Sequence, residues 1–184
     1  CMASSVAGHK RAFGADTVPG CYEDLELADV IVLVGSNLAW CHPVLSQRIA
    51  AVRAQHGTKI AVIDPRQTAT TEAADLHLPL AAGSDVALFN GLLAHLDKTG
   101  VLDHGYVDRY TSGFAAALAT AQASSIDDIA ANTGLTPAAL QDFYDLFAGT
   151  ERVITVYSQG VNQSTYGTDK VNAIINCHLA TGRI

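Results

Sequence analysis

Five consecutive apolar residues, Val30-Ile31-Val32-Leu33-Val34, run up to Gly35. A mostly β-branched run of that length, without polar alternation, predicts a strand buried on both faces, as in a parallel sheet covered by helices. Lys59–Ile63 predicts a second such strand, ended by Asp64-Pro65, and Arg152–Tyr157 predicts a third. Leu76-His77-Leu78-Pro79-Leu80 alternates and predicts a further, half-covered strand. Between these segments the apolar spacing turns helical. Val44, Leu45, Ile49 and Val52 mark a helix opened by Pro43 and closed near His56-Gly57. Val86, Phe89, Leu92, Leu93 and Leu96 mark another, with Ser84 or Asp85 as its cap and Gly100 to end it. Met2 to Phe13 predicts a helix ending at Gly14, and 70–74 is short and helix-capable. Residues 103–110, 113–123, 125–132, 136–147 and 167–180 predict five more helices. Strands alternating with helices define an α/β class with a mainly parallel sheet.

The length of 184 residues sets an expectation of one domain, 1–184, with a core that needs no staples. Charged residues make up 16% and apolar ones 49%, which excludes disorder. No apolar run approaches the roughly 18 residues of a membrane span. The net charge of −7 argues against a nucleic-acid surface, which needs a basic stripe. Cys1, Cys21, Cys41 and Cys177 are widely spaced, with no CxxC pair. That spacing argues against a zinc ribbon, an iron–sulfur run or a disulfide framework, and for a reducing compartment. The chain opens on Cys1-Met2 and stops at Thr181-Gly182-Arg183-Ile184, so it is expected to be a piece of a longer protein.

In open parallel sheets ligands collect beyond the carboxyl ends of the strands. The four exits read Gly35-Ser36-Asn37, Asp64-Pro65-Arg66-Gln67-Thr68, Gly83-Ser84-Asp85 and Ser158-Gln159-Gly160-Val161-Asn162-Gln163-Ser164. They carry Gly, Ser, Asn, Asp, Gln and Arg and almost nothing apolar, which suits a polar ligand of nucleotide type. Gly35 lets backbone amides approach a diphosphate, and Ser36 and Asn37 donate to its oxygens. Asp64 or Asp85 can accept from ribose hydroxyls or from a guanine edge, and Arg66 supplies charge-assisted bonds. Loops after strands are polar in any case, so the bland reading stays open. Gly35-Ser36-Asn37 is not the GxGxxG of nicotinamide-binding folds. His42 before Pro43 reads as a cap or packing residue, Trp40 as a packing or stacking residue, and Cys21, Cys41 and Cys177 as small buried hydrophobes. Glu23-Asp24 and Asp127-Asp128 read as solvated charges at helix starts.

Several stretches together resemble the molybdopterin oxidoreductase family. They are Cys1-Met2-Ala3-Ser4-Ser5-Val6-Ala7-Gly8, Gly14-Ala15-Asp16, Gly20-Cys21-Tyr22-Glu23-Asp24, Gly35-Ser36-Asn37, His42-Pro43, Asp64-Pro65-Arg66, Gly83-Ser84-Asp85, Gly160-Val161-Asn162-Gln163 and His178-Leu179-Ala180-Thr181-Gly182. Each motif is modest; their order and spacing over the whole chain are specific. Asp64-Pro65-Arg66 and the ending Asn176 to Ile184 look most like the assimilatory nitrate reductases.

The resemblance implies a Rossmann-like domain of a larger catalytic subunit whose molybdenum is held by two molybdopterin guanine dinucleotides. Cys1 falls on the family's molybdenum-bound cysteine, and a thiolate is a soft, charge-donating ligand. Val34, Gly35, Ser36, Asn37, Leu38, Ala39, Trp40 and Cys41 fall on stretches that hold one guanine dinucleotide, as do Asp64, Pro65, Arg66, Gln67, Thr68, Gly83, Ser84 and Asp85. Gln159 and Gln163 fall on positions lining the cofactor near its pterin end, Gln159 standing where periplasmic relatives carry methionine. A [4Fe-4S] cluster is implied for the parent, outside this chain. Nitrate is the implied substrate, reduced to nitrite in the cytoplasm for nitrate assimilation. Electrons are implied to come from a reductase subunit, ferredoxin or flavodoxin, and the piece alone is expected to be inactive. Two alternatives stay open: a formate dehydrogenase of the same superfamily, and a non-catalytic nucleotide-binding or interaction module.

Overall fold

A computed structural model describes residues 1–184. Four strands, β1 (Val30–Val34), β2 (Lys59–Ile63), β3 (Leu76–Leu78) and β4 (Val153–Tyr157), form one sheet in the order β3-β2-β1-β4. Every pairing is parallel, and Val34 at the end of β1 stands between Ile63 and Tyr157. The helices are α1 (Ala3–Phe13), α2 (Asp24–Leu27), α3 (Leu38–Cys41), α4 (Pro43–His56), α5 (Asp85–Lys98), α6 (His104–Tyr110), α7 (Phe114–Ala121), α8 (Ile126–Thr133), α9 (Pro137–Ala148), α10 (Gln159–Asn162) and α11 (Gly167–Ala180), with a 3₁₀ turn over Thr71–Ala73. This is the α/β fold with a parallel sheet that the pattern predicts. No helix is long and apolar enough to cross a membrane.

β1 is buried at all five positions, because both of its faces meet apolar layers. Val30, Val32 and Val34 join Ala61, Ile63 and Leu78 in the larger core, packed with side chains of α5, α9 and α11. Ile31 and Leu33 point the other way, to Ile60, Val62, Leu38 and Ile49. The alternation of one strand's side chains thus feeds two layers, and each fully buried aliphatic chain contributes about 1.5–3 kcal/mol.

The helix limits follow local chemistry. α1 stops at Gly14, which takes φ +76°. Ser125 and Asp128 form a reciprocal capping box on α8, so the Asp127-Asp128 pair is a solvated helix start, as read. Pro43 opens α4, and Thr136 caps α9 ahead of Pro137.

The structure refines four sequence expectations. β3 ends at Leu78, not Leu80, because Pro79 has no N–H to extend the ladder and Leu80 N–H turns back to the Leu78 carbonyl at 2.9 Å. Ser84 stands at the N-cap position of α5, but neither it nor Asp85 makes a side-chain capping bond: Ser84 Oγ donates to the Ala81 carbonyl at 2.6 Å, and the Asp85 carboxylate is held by Lys170. Cys21 and Cys41 are exposed, and only Cys177 is the buried hydrophobe expected, its thiol donating to the Phe89 carbonyl. Trp40 is 77% exposed and packs into no core, which leaves the stacking role as its open reading.

Candidate functional site

Because all strands are parallel, their exits lie on one edge of the sheet. Three seams tie the β4, β1 and β2 exits to one another and to β3 itself. Between β4 and β1, Ser158 N–H donates to the Val34 carbonyl at 3.1 Å and Gly160 N–H to the Gly35 carbonyl at 3.0 Å. Between β1 and β2, Thr70 Oγ1 donates to Asn37 Oδ1 at 3.0 Å and accepts from Ala39 N–H at 3.1 Å. Between β2 and β3, the Asp64 carbonyl meets His77 Nε2 at 2.8 Å.

The strand order reverses between β1 and β4, the place where ligands settle in such sheets. There Gly35, at φ +54°, presses its backbone against Gly160. A Cβ on Gly35 would lie 2.7 Å from Gly160 Cα, and one on Gly160 would lie 2.6 Å from Gly35 Cα. Beside this contact Ser36 is 2% exposed and its Oγ has no partner. Asn162 Oδ1 and Ser164 Oγ, from the β4 exit, are also buried without partners. Buried polar atoms are ordinarily satisfied, so three unpartnered ones in the exits of two neighbouring strands single out this stretch of the rim as a candidate place for a polar group.

The other predicted residues distribute as follows. Asp64 is buried, and its Oδ1 accepts from Arg66 N–H at 2.9 Å, which folds the turn after β2. The Arg66 side chain is 71% exposed, its Nε 3.6 Å from Asp64 Oδ1. Pro65 and Gln67 are exposed, and Thr68 is half-buried, its carbonyl accepting from Thr71 Oγ1. Leu38 is buried in the smaller core beneath α3, and Ala39 is half-buried. Gln159 and Gln163 are exposed at the two ends of α10, Gln159 Oε1 accepting from Ser158 Oγ at 2.6 Å.

Gly83, Ser84 and Asp85 are joined to a different neighbour. Asp85 and Lys170 form a buried ion pair at 2.6 Å, which ties the start of α5 to the first turn of α11. Asp85 is therefore already charge-compensated within the chain. Gly83 and Ser84 line a cleft of about 480 Å³ with Asn90, Asn132, Tyr166 and Asp169. This cleft includes no residue of the β1, β2 or β4 exits.

Cys1 reaches the same rim from the other end of the chain. It is exposed, and its carbonyl accepts from Asn162 Nδ2 at 2.8 Å. α1 is anchored beneath it by Ser5, whose hydroxyl bonds Tyr157 OH, with His9 Nε2 3.3 Å from the same phenol. Burial lowers the His9 pKa against the pull of Asp16, and burial raises that of Tyr157. The rim thus gathers two exposed thiols, Cys1 and Cys41, one exposed guanidinium, two glycine backbones and three unpartnered polar atoms. That set can hold a phosphate-bearing polar ligand and offer a soft donor to a metal.

Sequence reasoning gave no role to Thr70, His77 and Lys170, and singled out Asn162 only as a member of the β4 exit. Thr70 and His77 stitch the rim, Lys170 neutralises Asp85, and Asn162 holds Cys1. For Lys170 a signal exists, since a lysine between Thr168-Asp169 and Val171 on an otherwise apolar helix face needs a buried partner. Asn162 gives little signal, being one polar residue in an exit full of them.

A family model described as Molybdopterin oxidoreductase matches residues 1–184. A nitrate reductase of Shewanella frigidimarina is 50% identical over 186 residues, covering 100% of this chain and 20% of that protein. A formate dehydrogenase alpha subunit of Methanocaldococcus jannaschii is 31% identical over 181 residues, covering 98% of this chain and 27% of that protein. Acetylene hydratase from Pelobacter acetylenicus superposes with a TM-score of 0.86 over 100% of this chain and 25% of that one, at 22% identity, a likeness of fold. The chain spans between 20% and 26% of the length of the first curated relatives it matches.

Proposed function

The chain belongs to the molybdopterin oxidoreductase family, and from that premise we propose that it is a cofactor-binding domain of a larger molybdenum nitrate reductase. The observation that carries the reading is the 50% identity to a nitrate reductase along its full length, against 31% to a formate dehydrogenase subunit.

The residues present fit a guanylated pterin. The Gly35–Gly160 contact leaves no side chain in the way of a diphosphate, and Ser36 Oγ and Ser164 Oγ are buried atoms that lack partners. Gly35, Ser36 and Asn37 would hold the diphosphate, Arg66 would neutralise charge, and Asp64 would face the guanosine end. Trp40, exposed beside them, would stack on an aromatic ring. Cys1 would supply the thiolate ligand to molybdenum. When bound, the molybdenum group supplies the two-electron chemistry that turns nitrate into nitrite and water with two protons. The chain's own share is to hold and orient the cofactor and to tune the metal through one thiolate. The [4Fe-4S] cluster, the electron donor and a cytoplasmic setting belong to the same proposal for the whole protein.

The test is Cys1→Ser in the full-length protein. The expected result is loss of nearly all nitrate reduction, with formate inert as a substrate for the unaltered enzyme. Full nitrate turnover by the variant would overturn the assignment of Cys1. Formate oxidation by the unaltered enzyme, without nitrate reduction, would favour the formate dehydrogenase reading.

A further inference from the structure

We propose that Asn162 is the residue that positions Cys1. The inference rests on the reading of Cys1 as a metal ligand, and it concerns how this chain holds that residue in place.

Asn162 is 1% exposed and ends α10, the single turn after β4. Its Nδ2 donates to the Cys1 carbonyl at 2.8 Å and lies 3.6 Å from the Met2 sulfur. Both amide hydrogens are thereby spent on the residues at and beside the thiol. The Asn162 main chain is held just as closely. A Cβ on Gly167 would lie 2.4 Å from the Asn162 carbonyl oxygen and 2.9 Å from Ser4 Cβ. Asn162 is therefore wedged where α1, α10 and α11 meet. Two residues earlier, Gly160 is locked against Gly35. A chain of direct contacts thus runs from the β1 exit through Gly160 and Asn162 to Cys1.

The other end of the amide is as informative. Asn162 Oδ1 is buried with no donor facing it. A buried amide oxygen left alone is costly, so the placement of Asn162 is maintained by what its donor end and main chain hold. In this arrangement the donor end of one buried side chain fixes the main chain of the residue that carries the thiol. Aspartate has nearly the same shape but no donor, and serine keeps a shorter donor without adding charge.

The experiment uses the full-length protein in two forms. In cofactor-free protein, the rate of alkylation of Cys1 by iodoacetamide is followed by mass spectrometry, with exposed Cys21 and Cys41 as internal references. Asn162→Asp and Asn162→Ser are expected to change the Cys1 rate about two- to tenfold, the factor that one ordinary hydrogen bond represents, and to leave the reference rates unchanged. In the loaded protein, the molybdenum(V) paramagnetic resonance signal is expected to shift in Asn162→Asp. Should Asn162→Asp fail to fold, Asn162→Ser decides alone. An unchanged Cys1 rate together with an unchanged resonance in a folded variant would overturn the proposal. Loss of nitrate turnover in Cys1→Ser bears on the functional reading, whereas the alkylation rates bear only on Asn162, so the two failures are separable.

Discussion

Gly35 and Gly160 touch backbone to backbone where the sheet reverses its strand order, each filling the space the other's Cβ would need. No flexible side-chain tip stands on either side of this contact, so neither residue can yield without moving main chain.

Gly160→Ala is accordingly expected to destabilise the domain by about 2–4 kcal/mol, since overpacking against backbone has no rotamer escape. Gly35→Ala adds the cost of a side chain at φ +54° to the same clash. Urea unfolding reads both. A Gly160→Ala protein within roughly 0.5 kcal/mol of the parent would refute the close approach.

Breaking the buried Asp85–Lys170 pair leaves one uncompensated charge inside the protein. Lys170→Met alone is expected to cost about 3–5 kcal/mol, and adding Asp85→Leu is expected to return part of that loss. A double-mutant cycle measured by urea unfolding checks this; simple additivity of the two changes would show that the pair is not coupled.

His178 sits between Thr155 Oγ1 at 2.8 Å and the Arg183 carbonyl at 3.0 Å. Burial pushes its pKa from 6.5 down to about 4. The folded form therefore holds neutral imidazole while the unfolded chain takes a proton below about pH 6.5. Stability from this source is fully present above pH 6.5 and is lost as pH falls toward 4, by roughly 3 kcal/mol at most. Unfolding free energy measured from pH 7.5 to 4 should decline over that window, and His178→Gln should flatten the slope. An equal slope in the variant would assign the acid sensitivity elsewhere, with His9, also lowered by burial, as the next group to change.

Elements with a strong local signal were legible in the chain itself. The five apolar residues of β1 and the 167–180 limits of α11 agree with the structure, because β-branched runs and terminal glycines act locally. The polar character of the strand exits was equally plain. The one-turn helices α2, α3 and α10 were not, since four residues complete too little of a helix to show a period. Nor were the long-range pairings. Asn162 meets Cys1 across 161 positions, and nothing in either neighbourhood names the other. Cys41 read as a small buried hydrophobe and Trp40 as a packing or stacking residue, yet both lie exposed on the rim beyond the β1 exit. Local propensity sets the elements, whereas partners follow from sheet order.

α1 and α11 advance in step along their contact: Ser4 meets Gly167 and Thr168, while Gly8 meets Val171 and Asn172. Each residue added to a helix turns it by about 100° and lengthens it by about 1.5 Å. A single insertion between Cys1 and Gly8 would therefore swing the first residue a quarter-turn or more off the β4 exit while leaving the Gly8–Val171 crossing in place. The short stretch from Cys1 to Gly8 thus serves as a gauge block, its residue count setting the phase at which the leading thiol arrives.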